Sequence, residues 1–206
     1  MSQNYWDKLL GDDEHAATYM STYGEGVGSP LRYLIGKYLK PGEWVLDSGC
    51  GPGHNFDHFL AYGPSVIYRG EDYSKRFVRV TSERVKPMKI FSVGDVRKLK
   101  HEDKSFDVVI MQDVLEHTNG YERPVSEALR VARRACIFSF WHLMDKDEDN
   151  PVNDDGDDGW GAWYSKPKWE KYLDSLGYEW EHERIPRKDA FHDLYVVYKE
   201  QYGTGT

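Results

Sequence analysis

Basic residues are in short supply: 27 lysines and arginines stand against 35 aspartates and glutamates, a formal net charge of −8. That balance works against tight, sequence-independent binding to nucleic acid, which needs a cationic face to displace counterions. Cysteine is nearly absent. Cys50 and Cys136 lie far apart, form no CxxC pair, and read as reduced thiols of a cytoplasmic protein. No apolar run approaches the ~20 residues that span a bilayer, so no membrane anchorage is expected. The opening MSQNYWDKLLGDDEH carries neither the basic nor the apolar block of a secretory signal. No internal repeat occurs, and no GxxxxGK[ST] loop for phosphates.

Hydrophobic residues make up 39% of the chain, enough to build a core, and 206 residues suit one domain spanning 1–206. Apolar runs at 44–47, 66–71, 89–93, 106–111 and 134–141 alternate with helical patterns at 55–62, 74–85 and 121–133. That alternation is the signature of a parallel sheet covered by helices. VVIM and CIFSF are continuous apolar stretches, as buried parallel strands should be. Ser29-Pro30 predicts a capped helix before the first strand, and Ser165 caps another that Gly177 closes. Two last strands, 178–185 and 191–199, lack a crossover helix and should pair antiparallel. Lys75, Arg76, Arg79, Arg84 and Lys86 gather in one segment and read as a solvated helix face.

The chemistry concentrates behind the first strand, in VLDSGCGPG. Gly49, Gly51 and Gly53 would let the backbone approach a ligand between strand and helix. The spacing is GxGxG rather than the dinucleotide GxGxxG, and Asp47 beside the turn would repel a pyrophosphate while welcoming a cationic ligand. The second strand ends in GEDYS, placing Asp72 where a carboxylate can accept from both ribose hydroxyls. The third ends in VGDV, placing Asp95 where it can accept from an adenine amino group, with Val96 beside the ring. Three acidic residues after three successive parallel strands point to a nucleoside ligand.

VLDSGCGPG, GEDYS, VGDV and SFDVVIMQDVLEH, in that order, resemble the motifs of class I S-adenosylmethionine-dependent methyltransferases, clearly over residues 40–142 and more loosely to the final strand. The resemblance implies an α/β, Rossmann-like three-layer sandwich whose seven-stranded, mostly parallel sheet is ordered 3-2-1-4-5-7-6, with the last strand antiparallel. It implies S-adenosylmethionine as cofactor. Gly49, Gly51 and Gly53 then line the methionine portion with Asp47, Asp72 and Tyr73 lie at the ribose, and Asp95 and Val96 at the adenine. Gln112 belongs to the same set. RVARRACIFSF departs from the proline-glycine-glycine turn that many members place before the fifth strand.

For catalysis the candidates are His117, in QDVLEHT after the fourth strand, and His142, directly after the fifth. A helical turn would put Asp113, Glu116 and His117 on one face, a pattern also found in metal-assisted branches of the family. No metal site is assigned on that basis. The N-terminal segment, residues 1–40, is expected to form a helical cover over the cofactor, with Tyr19 and Tyr23 closing it and Tyr5 and Trp6 packing on the sheet. Residues 143–163, rich in aspartate and glycine, are expected to form a long loop acting as a lid, with Trp160, Trp163 and Tyr164 lining the acceptor pocket. The functional expectation is methyl transfer to an oxygen or nitrogen of a small molecule. The alternatives are a metal-assisted RNA 2′-O-methyltransferase and a non-catalytic nucleoside binder.

Overall fold

A computed structural model describes residue 11 and residues 29–153, 160–186 and 191–199. The chain runs α1 (Pro30–Lys37), β1 (Trp44–Ser48), α2 (His54–Ala61), β2 (Ile67–Asp72), α3 (Lys75–Arg84), β3 (Phe91–Val93), β4 (Phe106–Gln112), a 3-10 turn (Leu115–His117), α4 (Glu122–Val131) and β5 (Ala132–Phe140). There follow β6 (Leu143–Met144), β7 (Asn150–Asn153), β8 (Trp160–Ser165), α5 (Lys166–Ser175), β9 (Glu179–Pro186) and β10 (Phe191–Tyr198). Among the described residues, no helix is long and apolar enough to cross a membrane.

Seven strands form one sheet in the order β3-β2-β1-β4-β5-β10-β9. The first five run parallel, and β10 is antiparallel to both β5 and β9. This is the expected 3-2-1-4-5-7-6 order. It brings the C-terminal ends of β1, β2, β3, β4 and β5 to one edge of the sheet, the edge where α/β folds bind ligands.

Alternation along each strand sends side chains into two apolar layers. Leu46, Val109, Met111, Phe138 and Tyr195 pack with α4 and α5 on one face. Val45, Val108, Ile110, Ile137 and Leu194 pack with α1 and α2 on the other. Trp169 of α5 is fully buried and meets Phe138, Phe140, Tyr121 and Tyr195 edge-on. Side-chain caps form where Ser74 and Ser165 accept from the backbone of Phe77 and Lys168. Ser29 makes no such bond, and Pro30 alone sets the first turn of α1. On α3, Lys75 and Arg79 are exposed and Arg84 pairs with Asp57, as a solvated face requires.

The α4–β5 junction is as abrupt as the sequence pattern implied, two residues earlier, and the acidic segment differs from expectation. No loop separates α4 from β5: the helix ends at Val131 and the strand starts at Ala132. The Lys199 ammonium, just past β10, takes the carbonyls of Leu129 and Ala132 at 2.5 and 2.6 Å, satisfying acceptors where the helix passes into the strand. The acidic segment is more regular than a loop, because β6, β8 and β7 form a small second sheet. Its signal is a short alternation: Ala162 and Tyr164 are buried while Trp163 between them is exposed. Asp154, Asp155, Asp157 and Asp158 lie outside the described residues, as do Tyr5, Trp6, Tyr19 and Tyr23.

Candidate active site

The glycine turn is held against β2 by the Glu71 carbonyl, which accepts from the amides of Gly49 (2.7 Å) and Cys50 (2.9 Å). Gly49 has φ +84°, and a Cβ there would lie 2.4 Å from Val114 Cγ2, so a side chain is excluded by packing as well as by conformation. Gly51 is different: its φ is +49°, and a Cβ would meet nothing within 4 Å. There the bare backbone faces open space. Gly53 does not line that space. A Cβ on it would meet Thr81 and Phe91, so it serves the seating of α2 rather than a ligand.

The open space is a cavity of about 410 Å³ at the C-terminal edge of the sheet. Asp47, Gly49, Gly51, Asp72, Tyr73, Asp95, Val96, Gln112 and His117 all line it, so most of the residues anticipated from sequence converge. Asp47 is 1% exposed; its Oδ2 accepts from Tyr68 (2.5 Å) and Asn55 (3.2 Å), while Oδ1 has no partner. Burial pushes its carboxyl up to about 6, against the downward pull of those two donors and of the Arg32 charge. A buried, partly satisfied carboxylate beside an open cavity suits a cationic ligand group.

Asp72 is pinned at both oxygens, accepting the Gly51 amide at Oδ2 and the Ser74 amide at Oδ1, each at 2.8 Å. Each oxygen retains acceptor capacity, since a carboxylate offers about four lone-pair sites. Asp95 is gripped by Arg97, whose Nε and Nη2 each reach an Asp95 oxygen at 2.9 Å. Burial raises the Asp95 carboxyl, and the Arg97 bonds more than reverse this and hold it below the usual range. Arg97 also lies 5.6 Å over the Tyr73 ring, so the two residues brace one wall. Gln112 contributes a buried Oε1 without a partner.

The strand ends opposite are arranged otherwise than the sequence suggested. Asp113, at φ +53°, bonds through its amide to the Ser139 carbonyl (3.2 Å) and hydroxyl (3.1 Å), and its Oδ1 accepts the Ser139 hydroxyl at 2.7 Å. Its Oδ2 lies 3.4 Å from His192 Nε2. Glu116 turns away and is fully buried, with Oε1 on the Trp141 amide at 2.7 Å and Oε2 without a partner. Burial and the neighbouring Asp113 charge push that carboxyl well above its usual range.

His142 does not line the cavity; its ring packs on Trp163 at 5.2 Å. The correction follows from where β5 ends: Trp141, the first residue beyond Phe140, is the one that lines the cavity. Among the described residues no three histidine, cysteine, aspartate or glutamate side chains gather as a metal set. Trp163 and Tyr164 do not line the cavity either: Tyr164 instead ties β8 to its wall, donating to the Thr118 carbonyl at 2.5 Å and accepting from the Gly120 amide.

Sequence reading missed Arg32 and His192. Both line the cavity and are 5% exposed. Arg32 carried a weak signal as a cation on the inner stripe of α1. His192 carried none, since only the return of β10 beside β5 brings it there.

Residues 46–140 match a family model described as a methyltransferase domain. Phosphoethanolamine N-methyltransferase 3 of Arabidopsis thaliana is 35% identical over 124 residues, covering 56% of this chain and 25% of the plant protein. The chain spans about half or less of the length of the curated relatives it matches. Among solved structures, Haemonchus contortus phosphoethanolamine N-methyltransferase 2, in complex with phosphomonomethylethanolamine and S-adenosylhomocysteine, superposes with a TM-score of 0.75 at 15% identity, over 97% of this chain and 60% of the other. Magnesium protoporphyrin IX methyltransferase of Synechocystis PCC 6803, with bound S-adenosylmethionine, gives 0.61 at 20% identity, over 96% and 90%. Matched motifs and strand order agree: residues 46–140 match a methyltransferase domain, and the sheet has the order that the class I S-adenosylmethionine-dependent motifs imply.

Proposed function

We propose that the cavity binds S-adenosylmethionine and that the chain transfers its methyl group to a small-molecule acceptor, at oxygen or nitrogen. The observation that carries this reading is the pairing of a half-satisfied buried carboxylate, Asp47, with the open backbone of Gly51. Asp47 Oδ1 takes the ligand's ammonium, and Arg32, sharing the cavity, takes its carboxylate. Asp72 accepts from the ribose hydroxyls, Tyr73 flanks them, and Asp95 and Val96 hold the adenine. Gln112 Oε1 accepts at the methionine end, where Gly49 and Gly51 leave room.

When bound, the cofactor supplies a methyl group already activated on a sulfonium. The protein's task is then alignment, which can contribute as much as ~7–11 kcal/mol. The acceptor lies between His117, Trp141 and His192, on the far side of Gln112 from the adenine. Strand β8 is fastened to the wall of this space by Tyr164. Relatives named for phosphoethanolamine and for the alkaloid norajmaline support a small acceptor, and the net charge of −8 opposes an RNA one.

Calorimetry with S-adenosylhomocysteine tests the cofactor assignment. Asp72→Ala should weaken binding about tenfold or more, since hydrogen bonds to a charged group contribute roughly 1.5–3 kcal/mol each. Equal affinities would remove the ribose assignment. A methyl-transfer screen over phenols, amines, carboxylates and short RNA tests the acceptor class.

A further inference from the structure

On the methyl-transfer reading above rests a narrower one. We propose that His192, oriented by Asp113, accepts the proton of a hydroxyl acceptor, making this an O-methyltransferase. The argument begins with placement. β10 runs antiparallel beside β5 with Asp193 opposite Phe140, so His192 lies just beyond the end of β5. It shares the face of Leu194 and Val196, the side on which α1 packs, and it is 5% exposed in the cavity wall.

Its partner is fixed unusually firmly. Asp113 holds a left-handed conformation that is strained for a non-glycine residue, and such strain persists only where the surroundings over-determine it. Here the Ser139 carbonyl and hydroxyl supply that constraint, leaving Oδ2 directed at His192 Nε2. Burial raises the Asp113 carboxyl, but donors from His192, Ser139 and Gln112 hold it below the usual range. A carboxylate that stays ionised beside an imidazole favours the imidazolium that proton transfer creates.

The step balances within these groups. The acceptor oxygen bonds to the methyl carbon, and the carbon–sulfur bond breaks with its electron pair returning to sulfur, which loses its positive charge. The acceptor's proton passes to the imidazole of His192. A hydroxyl needs such a base because its oxygen is a poor nucleophile while protonated; a free amine already offers its lone pair. The other charged and titratable groups lining the cavity are Arg32 from α1, Asp47 and Asp72 from β1 and β2, Cys50 in the glycine turn, Tyr73 after β2, Asp95 and Arg97 after β3, His54 at the start of α2 and His117 from the 3-10 turn.

The test uses the full chain, S-adenosylmethionine, and phenols with pKa from about 7 to about 10, the range over which a base matters increasingly. His192→Ala and His192→Gln should bind S-adenosylhomocysteine within about threefold of wild type by calorimetry, yet lose roughly 10²-fold or more in kcat. The loss should be largest for the weakest acids, the acidic limb of the kcat profile should disappear, and added imidazole should restore turnover to His192→Ala. Three results overturn the proposal: His192 variants with wild-type kcat and pH limb, the limb vanishing in His117→Ala instead, or a wild type that binds S-adenosylhomocysteine and methylates amines but no phenol. A wild type that does not bind S-adenosylhomocysteine overturns the methyl-transfer reading itself.

Discussion

Asp47 and Tyr68 share a 2.5 Å hydrogen bond in the interior, leaving the second Asp47 oxygen buried beside the cavity with nothing to accept from. Such a carboxylate destabilises the ligand-free fold and gains on meeting a cation. Both effects carry a sign that pH exposes.

Burial lifts this carboxyl from 3.8 to about 6. Between those values the folded chain holds a proton that the unfolded chain has released. The stabilising contribution is therefore full below about pH 4 and is lost as pH rises through about 6, on the order of 3 kcal/mol in all. Asp47→Asn should accordingly gain stability over wild type as pH goes from 4 to 7.5, in denaturant melts of the ligand-free protein. Cofactor affinity should run the opposite way, rising through pH 6 in wild type and staying weak and flat in the variant. Parallel pH profiles for the two proteins would sink the assignment of Asp47 to the ligand's ammonium.

Arg32 offers a second check on the same end of the ligand. If it takes the cofactor carboxylate, Arg32→Ala should weaken S-adenosylhomocysteine about tenfold or more, in line with a lost charge-assisted bond. The same variant should bind 5′-methylthioadenosine, which lacks the amino-acid portion, within about twofold of wild type. An equal loss for both nucleosides would mean that Arg32 only supports the fold.

Gly49 isolates packing from conformation. Gly49→Ala should cost on the order of 1–3 kcal/mol from its left-handed backbone alone, plus whatever Val114 must give to relieve a 2.4 Å approach. Val114→Ala in the same chain should recover the second part and leave the first. Thermal melts of the two single variants and the double variant decide it: simple additivity would show that the clash is absorbed elsewhere.

The parts of this molecule legible in its sequence are those written in local pattern. Strand–helix alternation announced a parallel sheet, the resemblance of the motifs implied its order, and Asp47, Asp72 and Asp95 followed from their position at three successive strand ends. Contacts made by distant segments were not legible. His192 reaches the cavity because β10 inserts beside β5; the resemblance implied that pairing, but no residue near position 192 marks it as facing a ligand. His142 was misjudged by one residue, since β5 ends at Phe140 and Trp141, the first residue beyond it, is the one that lines the cavity. β7 and β8 escaped notice because an alternation of few residues is hidden among aspartates and glycines.

Strand β10 also fixes a length. At one end it presents His192 to the cavity; at the other Lys199 clasps the last carbonyls of α4. Seven residue steps separate them, roughly 23 Å at the rise of an extended chain. The strand thus works as a ruler with a stop at each end. Adding or deleting one residue between them could not be absorbed by a slip in pairing, since a slip would turn every side chain to the opposite face. Length variation in this part of the chain is therefore excluded from β10, and the register that anchors a helix at one edge of the sheet also sets what the other edge offers an acceptor.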